Sequence, residues 1–400
     1  MSKQMNFIKK HALEIFIFII IIVLTRVLTY QIESLDYLVF LKKWYASIIE
    51  NGGINSLGMK IGNYGPPYIL LLTIGTYITS NALLWVKFIS LAFDIIMAVY
   101  ASLIVKHFKV NKYIKMFTYT LILPGVIINS AVLGQCDSIY TAFVLMFIYY
   151  ILKNKNKLAL FLFGIALSFK LQAIFVAPVI LYLIVTKKVK LLDFMYLVIG
   201  GIILMLPSML YGKNLIDIIQ VYFQQTKEYN YLVQSSPNIY SFLNLNYQEI
   251  TIMLKYSLAL IVIIVSIFIS LHRTKKSNYI YDSKTFIIKV MLLSVFVPYL
   301  LPGMLDRYFY MANILLLIML FITERKAKLD RIMFVLVSIA YFIPVLTINF
   351  LSYNQDILAF AEVVLVSKFS SVINTFVVLI LLDRFILTEN INTHKNVTKM

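Results

Sequence analysis

The sequence predicts an all-α, polytopic transmembrane bundle of about twelve spans, and three observations carry that prediction. Hydrophobic residues make up 61% of the 400, and the mean hydropathy is +0.87. A soluble fold has nowhere to hide so much apolar surface. Apolar runs of about 20 residues recur along the whole chain, each long enough to cross a hydrocarbon core of about 30 Å. Between them lie short basic tracts: Lys9-Lys10, Lys106 to Lys115, Lys153 to Lys157, Lys187 to Lys190, Arg273 to Lys276 and Arg325 to Arg331. Setting every tract on the cytoplasmic side closes the topology without contradiction, because basic residues bias short loops inward.

The spans fall roughly at 12–31, 82–105, 114–132, 138–153, 157–171, 173–187, 191–211, 251–271, 285–302, 307–323, 331–349 and 363–383, with both termini cytoplasmic. The first run, Leu13 to Tyr30, is long for a signal h-region and lacks a small-x-small cleavage site, so it reads as a retained anchor. Segment 67–80 is apolar too, but a full crossing there pushes the Lys106–Lys115 tract outside. It reads instead as a re-entrant or surface-lying helix. The pair 157–171 and 173–187 is short for two spans and turns on Lys170 and Gln172. The chain reads as one polytopic domain, 1–400, with no internal repeat and two long outer loops, 32–81 and 212–250. Function is expected on that outer face, since irregular backbone at membrane depth is tolerated mainly where it lines a cavity.

The net charge of +18 invites a nucleic-acid reading, but its distribution records membrane orientation, with some attraction to anionic headgroups. The expected partner is the lipid bilayer, not a nucleic acid. The single cysteine, Cys136, excludes an intramolecular disulfide and a multi-cysteine metal site. The four histidines, at 11, 107, 272 and 394, fall in or beside the basic tracts. No metal and no cofactor is expected.

Residues 36–50 read as a helix lying in the interface, with Leu38, Leu41, Tyr45, Ile48 and Ile49 on one face and Asp36, Lys43 and Glu50 on another. Asp36, in its first turn, either complements the helix dipole or acts as a general base on an attacking sugar hydroxyl. The loop closes on Gly62-Asn63-Tyr64-Gly65-Pro66-Pro67-Tyr68. In Gly134-Gln135-Cys136-Asp137-Ser138, Asp137 or Ser138 caps the following helix, or else Gln135 and Asp137 bind a sugar or orient the base. Lys170, in Ser168-Phe169-Lys170-Leu171-Gln172, sits where a basic residue costs about 2.5–3.5 kcal/mol on insertion. It reads as a phosphate ligand, with snorkelling to the surface as the alternative. In Pro302 to Tyr308, Asp306 and Arg307 either mark the interface or let Arg307 clamp a phosphate through its planar fork. Asp94, deep in a span, needs a partner, and Arg26 or Lys87 can supply it. The loop Ser235-Ser236-Pro237-Asn238-Ile239-Tyr240 reads as a glycan contact or an ordinary surface loop.

Four stretches, taken in order, resemble the GT-C superfamily of integral-membrane glycosyltransferases, nearest to its bacterial GPI-mannosyltransferase-like branch. They are Asp36 through Asn63-Tyr64-Gly65-Pro66-Pro67-Tyr68, Gly134-Gln135-Cys136-Asp137, Phe169-Lys170-Leu171-Gln172 with Pro178, and Pro302 to Tyr308. The likeness spans residues 36 to about 310. It implies a GT-C-type bundle whose first outer loop carries interfacial helices, sited in a bacterial plasma membrane. The implied reaction is an inverting transfer of a mannose-like hexose from a polyprenyl-phosphate-linked donor to an envelope glycan or lipid-linked acceptor. Asp36 matches the catalytic aspartate, and Lys170 and Arg307 match basic positions at the donor phosphate. Tyr64, Gln135, Asp137, Gln172, Asp306 and Tyr308 are the implied substrate contacts. Two departures stand out. Leu305-Asp306 occupies the place where the family often has His-Glu, and Glu33 and Asp36 do not form an Asp-x-Asp pair, so no bound metal is implied. A transporter or flippase of lipid-linked glycans, a polysaccharide polymerase and a non-catalytic envelope partner are the competing readings.

Overall fold

A computed structural model of the chain describes residues 2–227, 231–233, 236–243, 249–274, 279–323, 327–351 and 358–387. These residues are all-helical, 81% of the structure being helix, with no strand beyond two isolated bridges. The helices are α1 (Ser2–Thr29), α2 (Lys42–Glu50), α3 (Pro66–Thr76), α4 (Ala82–Phe108), α5 (Tyr113–Ile122), α6 (Pro124–Ile127), α7 (Asp137–Leu152), α8 (Asn156–Phe169) and α9 (Val179–Val185). They continue with α10 (Phe194–Ile203), α11 (Leu206–Leu210), α12 (Leu215–Lys227), α13 (Ile252–Leu271), α14 (Ser283–Leu300), α15 (Tyr310–Ile322), α16 (Ala327–Leu351) and α17 (Leu358–Leu382). Ser235, Lys275, Lys276 and Arg325 of the loop and tracts singled out above lie outside the described residues, as do 228–230, 244–248 and 388–400.

Four apolar stretches among the described residues are long enough to cross a membrane: α4, α13, α14 and Leu365–Leu387. The bent pair Val110–Ile122 and Pro124–Val132, at 48°, makes a fifth if it is one span. This is a multi-pass membrane protein. The other predicted crossings fall mostly on shorter helices. The break at Leu123 precedes Pro124, which has no N–H to continue a helix and disfavours helical geometry in the residue before it. The predicted span 157–171 stops as α8 at Phe169, about 21 Å long at 1.5 Å per residue. Its partner becomes a 3₁₀ turn, Leu171–Val176, and the seven-residue α9. Segment 67–80 forms α3, 11 residues long, whose rise of about 16 Å is half a hydrocarbon core. It is too short to cross.

The core has two parts. α15 runs through the larger one, with every residue from Tyr310 to Met319 buried, as expected of a helix apolar on all faces. The smaller part joins the first loop to the bundle, packing Tyr37, Leu41, Tyr45 and Ile48 against Tyr68, Leu72 and Trp85. α8 and α10 touch backbone to backbone. A Cβ on Gly200 would run into the Phe161 carbonyl, and one on Gly164 into the Leu197 carbonyl. Such close contact between membrane helices requires residues this small. It holds α8, and therefore its C-terminal end, in a fixed position.

Arg26 of α1 is the partner of Asp94 on α4, at 2.8 Å, and Asp94 is fully buried. Lys87 turns the other way, donating to the carbonyls of Thr29, Tyr30 and Ile32 at 2.6, 3.2 and 2.8 Å. It thereby satisfies acceptors that the end of α1 leaves without helical partners. Arg26→Ala strands a buried carboxylate and is expected to cost about 3–5 kcal/mol. Adding Asp94→Asn should restore part of that loss. Thermal unfolding of the two variants in detergent checks this.

Candidate active site

The first loop is shaped by a π-turn, Tyr37–Leu41, that runs into α2. Tyr37, Leu41, Tyr45 and Ile48, at helical spacing, form the buried face. Ile49, expected on that face, is 46% exposed, and Tyr37, four residues before Leu41, is buried there instead. The Tyr37 N–H is satisfied by Ser34, whose hydroxyl in turn donates to the Leu133 carbonyl at 2.7 Å. Asp36 makes no capping hydrogen bond. Its carboxylate instead accepts from Gln135 Nε2 at 2.6 Å and pairs with the Arg307 guanidinium.

Gln135 is oriented from its other end by the Tyr64 hydroxyl, which donates to Oε1 at 3.4 Å. Tyr64 lies between Trp44 and Tyr68, with ring centroids 5.2 Å from each. Gly65 lets this loop reach the end of α8, since a Cβ there would come within 2.5 Å of the Ser168 carbonyl and of the Tyr222 hydroxyl. α12 fastens the same junction. Tyr222 donates to the Ser168 carbonyl, and Gln225 to the Asn63 carbonyl, each at 2.5 Å.

Lys170 follows α8 in an extended conformation and is buried. It does not snorkel to the surface. Its ammonium pairs with Asp137 and lies 5.8 and 5.9 Å from the ring centroids of Tyr64 and Tyr140, within cation–π range. Asp137, in the first turn of α7, makes no cap. Its second oxygen accepts from Asn129 at 2.8 Å, and Ser138 donates to the Ser90 carbonyl. Asp306 opens the 3₁₀ turn Asp306–Phe309 and accepts from the backbone N–H of Arg307 at 2.8 Å.

The predicted residues therefore divide into two groups. Asp36, Tyr64, Gln135, Lys170, Gln172, Arg307 and Tyr308 line one cavity of about 490 Å³. Asp137 and Asp306 are buried and absent from its wall, Asp137 standing behind Lys170. Trp44, Asn63, Gln225 and Lys255 also line it. Trp44 and Asn63 belong to segments already singled out, whereas Gln225 and Lys255 carry no motif signal. The predicted glycan contact near Asn238 is placed elsewhere. Asn238 is buried, Asn374 donates to the Pro237 carbonyl, and Tyr240 donates to the Leu300 carbonyl.

The wall carries three cations, Lys170, Lys255 and Arg307, and one carboxylate, Asp36. That balance favours an anionic ligand. Arg307 Nε and Gln172 Oε1 are buried without a hydrogen-bond partner, a condition native proteins rarely leave unanswered. Burial pushes the Cys136 thiol up to about 11, so it is protonated and unreactive. Burial also pushes the Asp306 carboxyl from 3.8 up to about 6, with the Arg307 guanidinium pulling the other way. The folded protein therefore holds a proton there that the unfolded chain releases, and stability falls as pH rises through that window. Asp306→Asn is expected to raise stability at pH 7 by up to about 3 kcal/mol and to change little at pH 4. Melting curves of both proteins across this range provide the check.

A charged cavity with an aromatic wall, set in a helical membrane bundle, defines an integral-membrane protein with a polar site. Residues 63–298, more than half of the chain, match the model of Glycosyltransferase family 87. The protein belongs to that family, a GT-C-type family of membrane glycosyltransferases. No curated protein and no solved structure matches the chain. The matched range contains Asn63, Tyr64, Gln135, Lys170, Gln172 and Lys255, while Asp36 and Arg307 lie outside it. Membership makes the protein a transferase with a sugar donor and an acceptor, and lends nothing to the transporter and scaffold readings.

Proposed function

We propose that the protein is an inverting glycosyltransferase. It moves a mannose-like hexose from a polyprenyl-phosphate-linked donor to an envelope glycan or lipid-linked acceptor at the outer face of a bacterial plasma membrane. The observation that carries this reading is the meeting of Asp36, Gln135, Lys170 and Arg307, from four separate stretches, at one cavity. A single domain, 1–400, of about twelve crossings with both termini cytoplasmic accompanies it, several short helices each counting as a crossing.

Asp36 takes the proton from the acceptor hydroxyl, and Gln135 positions its carboxylate. The acceptor oxygen attacks the anomeric carbon from the face opposite the phosphate. The bond from that carbon to the phosphate oxygen breaks, and its electron pair leaves with the polyprenyl phosphate. Lys170 and Arg307 stabilise the charge that develops there, in a setting where preorganised electrostatics counts for more than in water. Arg307 Nε and Gln172 Oε1 offer a donor and an acceptor to the same substrate. Trp44 and Tyr64, set edge to face, offer aromatic rings against which the apolar face of a sugar can pack.

The test compares surface-glycan composition in cells with the intact protein, without it, and with Asp36→Asn at matched membrane levels. Loss of one sugar in both altered strains supports the reading and names the sugar. Asp36→Asn cells that match intact ones, while the deletion differs, remove Asp36 as the base.

A further inference from the structure

Behind the cavity, Asn129 joins the two halves of the site. It lies in the π-turn Ile128–Val132, directly after α6. A regular helix would pair the Asn129 carbonyl with the N–H four residues on. Here the Leu133 N–H bonds to the Ile128 carbonyl instead, and the Asn129 carbonyl accepts from the Gln135 N–H at 2.7 Å. Gln135 is the residue whose side chain holds the Asp36 carboxylate. The side chain of Asn129 reaches the other half. Its Nδ2 donates to Asp137 Oδ2 at 2.8 Å, while Asp137 Oδ1 takes the Lys170 ammonium.

Asn129 and Asp137 are both fully buried. A carboxylate only accepts, so the amide must present its nitrogen to Asp137. Its own oxygen, Asn129 Oδ1, is then left without a hydrogen-bond partner among the described residues. An orphaned buried carbonyl offsets much of what the nitrogen gains, so stability alone gives little reason for an asparagine here. What the amide does achieve is to occupy the second oxygen of Asp137. Lys170 lines the cavity, and its ammonium has donors beyond the one that faces Asp137. With Oδ2 unoccupied, the ammonium would bridge both carboxylate oxygens and turn from the cavity.

We propose that Asn129 is a positioning residue: by holding Asp137 Oδ2, it keeps the Lys170 ammonium turned to the cavity and available to an anionic group there. This rests on the transferase reading above and adds a residue that acts on the substrate only through Asp137 and Lys170. The side chain of Asn129 serves the cation and its backbone serves Gln135, so substituting the side chain separates the two.

The experiment titrates the full-length protein, in nanodiscs of zwitterionic lipid, with inorganic pyrophosphate as the anionic probe. The readout is tryptophan fluorescence, because Trp44 lines the cavity. Asn129→Ala should weaken binding about tenfold, the size expected for displacing one charge-assisted contact. Asn129→Leu, which keeps the branch at Cγ without the amide, should weaken it equally. In the Asp137→Asn background the same substitutions should change binding by less than twofold, because the carboxylate through which they act is gone. Asn129→Leu binding within twofold of intact overturns the assignment, marks Asn129 as packing, and leaves the transferase reading standing. A loss of the same size that persists in the Asp137→Asn background also overturns it. An intact protein that does not bind pyrophosphate overturns both this assignment and the phosphate roles of Lys170 and Arg307.

Discussion

Asp36→Asn is expected to slow sugar transfer by about 10²–10⁴-fold, the usual contribution of a general base, in a protein that still folds. The substitution keeps the size of the side chain, and the new amide oxygen still accepts from Gln135 Nε2, which now stands at 2.6 Å from the carboxylate. It removes basicity and the charge that faces Arg307. Arg307 then stands in the cavity with less negative charge against it, so affinity for an anionic donor should hold or rise. The expected signature is a low kcat with an unchanged or lower KM for the donor. A residue that merely braced the loop would give the opposite pattern, with weakened donor binding and lowered thermal stability. Transfer within threefold of the intact protein would eliminate Asp36 as the base.

Arg307→Ala is expected to lower transfer by about 10²–10³-fold, the usual effect of deleting one preorganised donor at developing charge. Arg307→Lys should fall between Ala and the intact protein, because lysine keeps the charge and loses the planar fork. Arg307 and Asp36 share an ion pair, so the loss in the Asp36→Asn, Arg307→Ala double variant should be clearly less than the product of the single losses. Full additivity of the two effects would show that the pair does not act as a unit. Lys170 is a poorer place to start. Its ammonium is buried against Asp137, and Lys170→Ala leaves a stranded carboxylate costing about 3–5 kcal/mol. Loss of activity there mixes chemistry with folding unless Asp137→Asn is introduced as well.

Most of the residues around the cavity were legible as isolated signals in the chain. Lys170 stood out because a charge at the end of an apolar run is costly, and Arg307 because it sits in an outer turn where it either marks the interface or clamps a phosphate. Asp36 had two readings of equal standing, dipole and base, and spacing could not choose between them. In the structure Ser34 satisfies the Tyr37 N–H, and the Asp36 carboxylate accepts from Gln135 and pairs with Arg307. Ile49 lies at the edge of the stripe set by Leu41, Tyr45 and Ile48, and packing, not periodicity, decides whether such an edge position is covered. A lysine near a helix end such as Lys255 is ordinary in sequence, and only the position of α13 beside the cavity places it on the wall.

By itself, the sequence determined that this chain is helical and embedded in a membrane by several apolar helices, with charge inside its apolar runs at only a few positions. Hydropathy and helix formation are local properties, accumulated residue by residue, and composition reports them faithfully. The tertiary structure alone decided which charge meets which. Asp36 meets Arg307 across 271 positions of chain, and Asp94 takes Arg26 while Lys87 closes the end of α1. It also decided that α3 ends after 11 residues and α8 after 14, and that Asp137 and Asp306 stand off the cavity wall. Those outcomes depend on where helices end and how closely they cross, and contacts such as Gly200 against Phe161 set both at a distance that chain spacing does not encode.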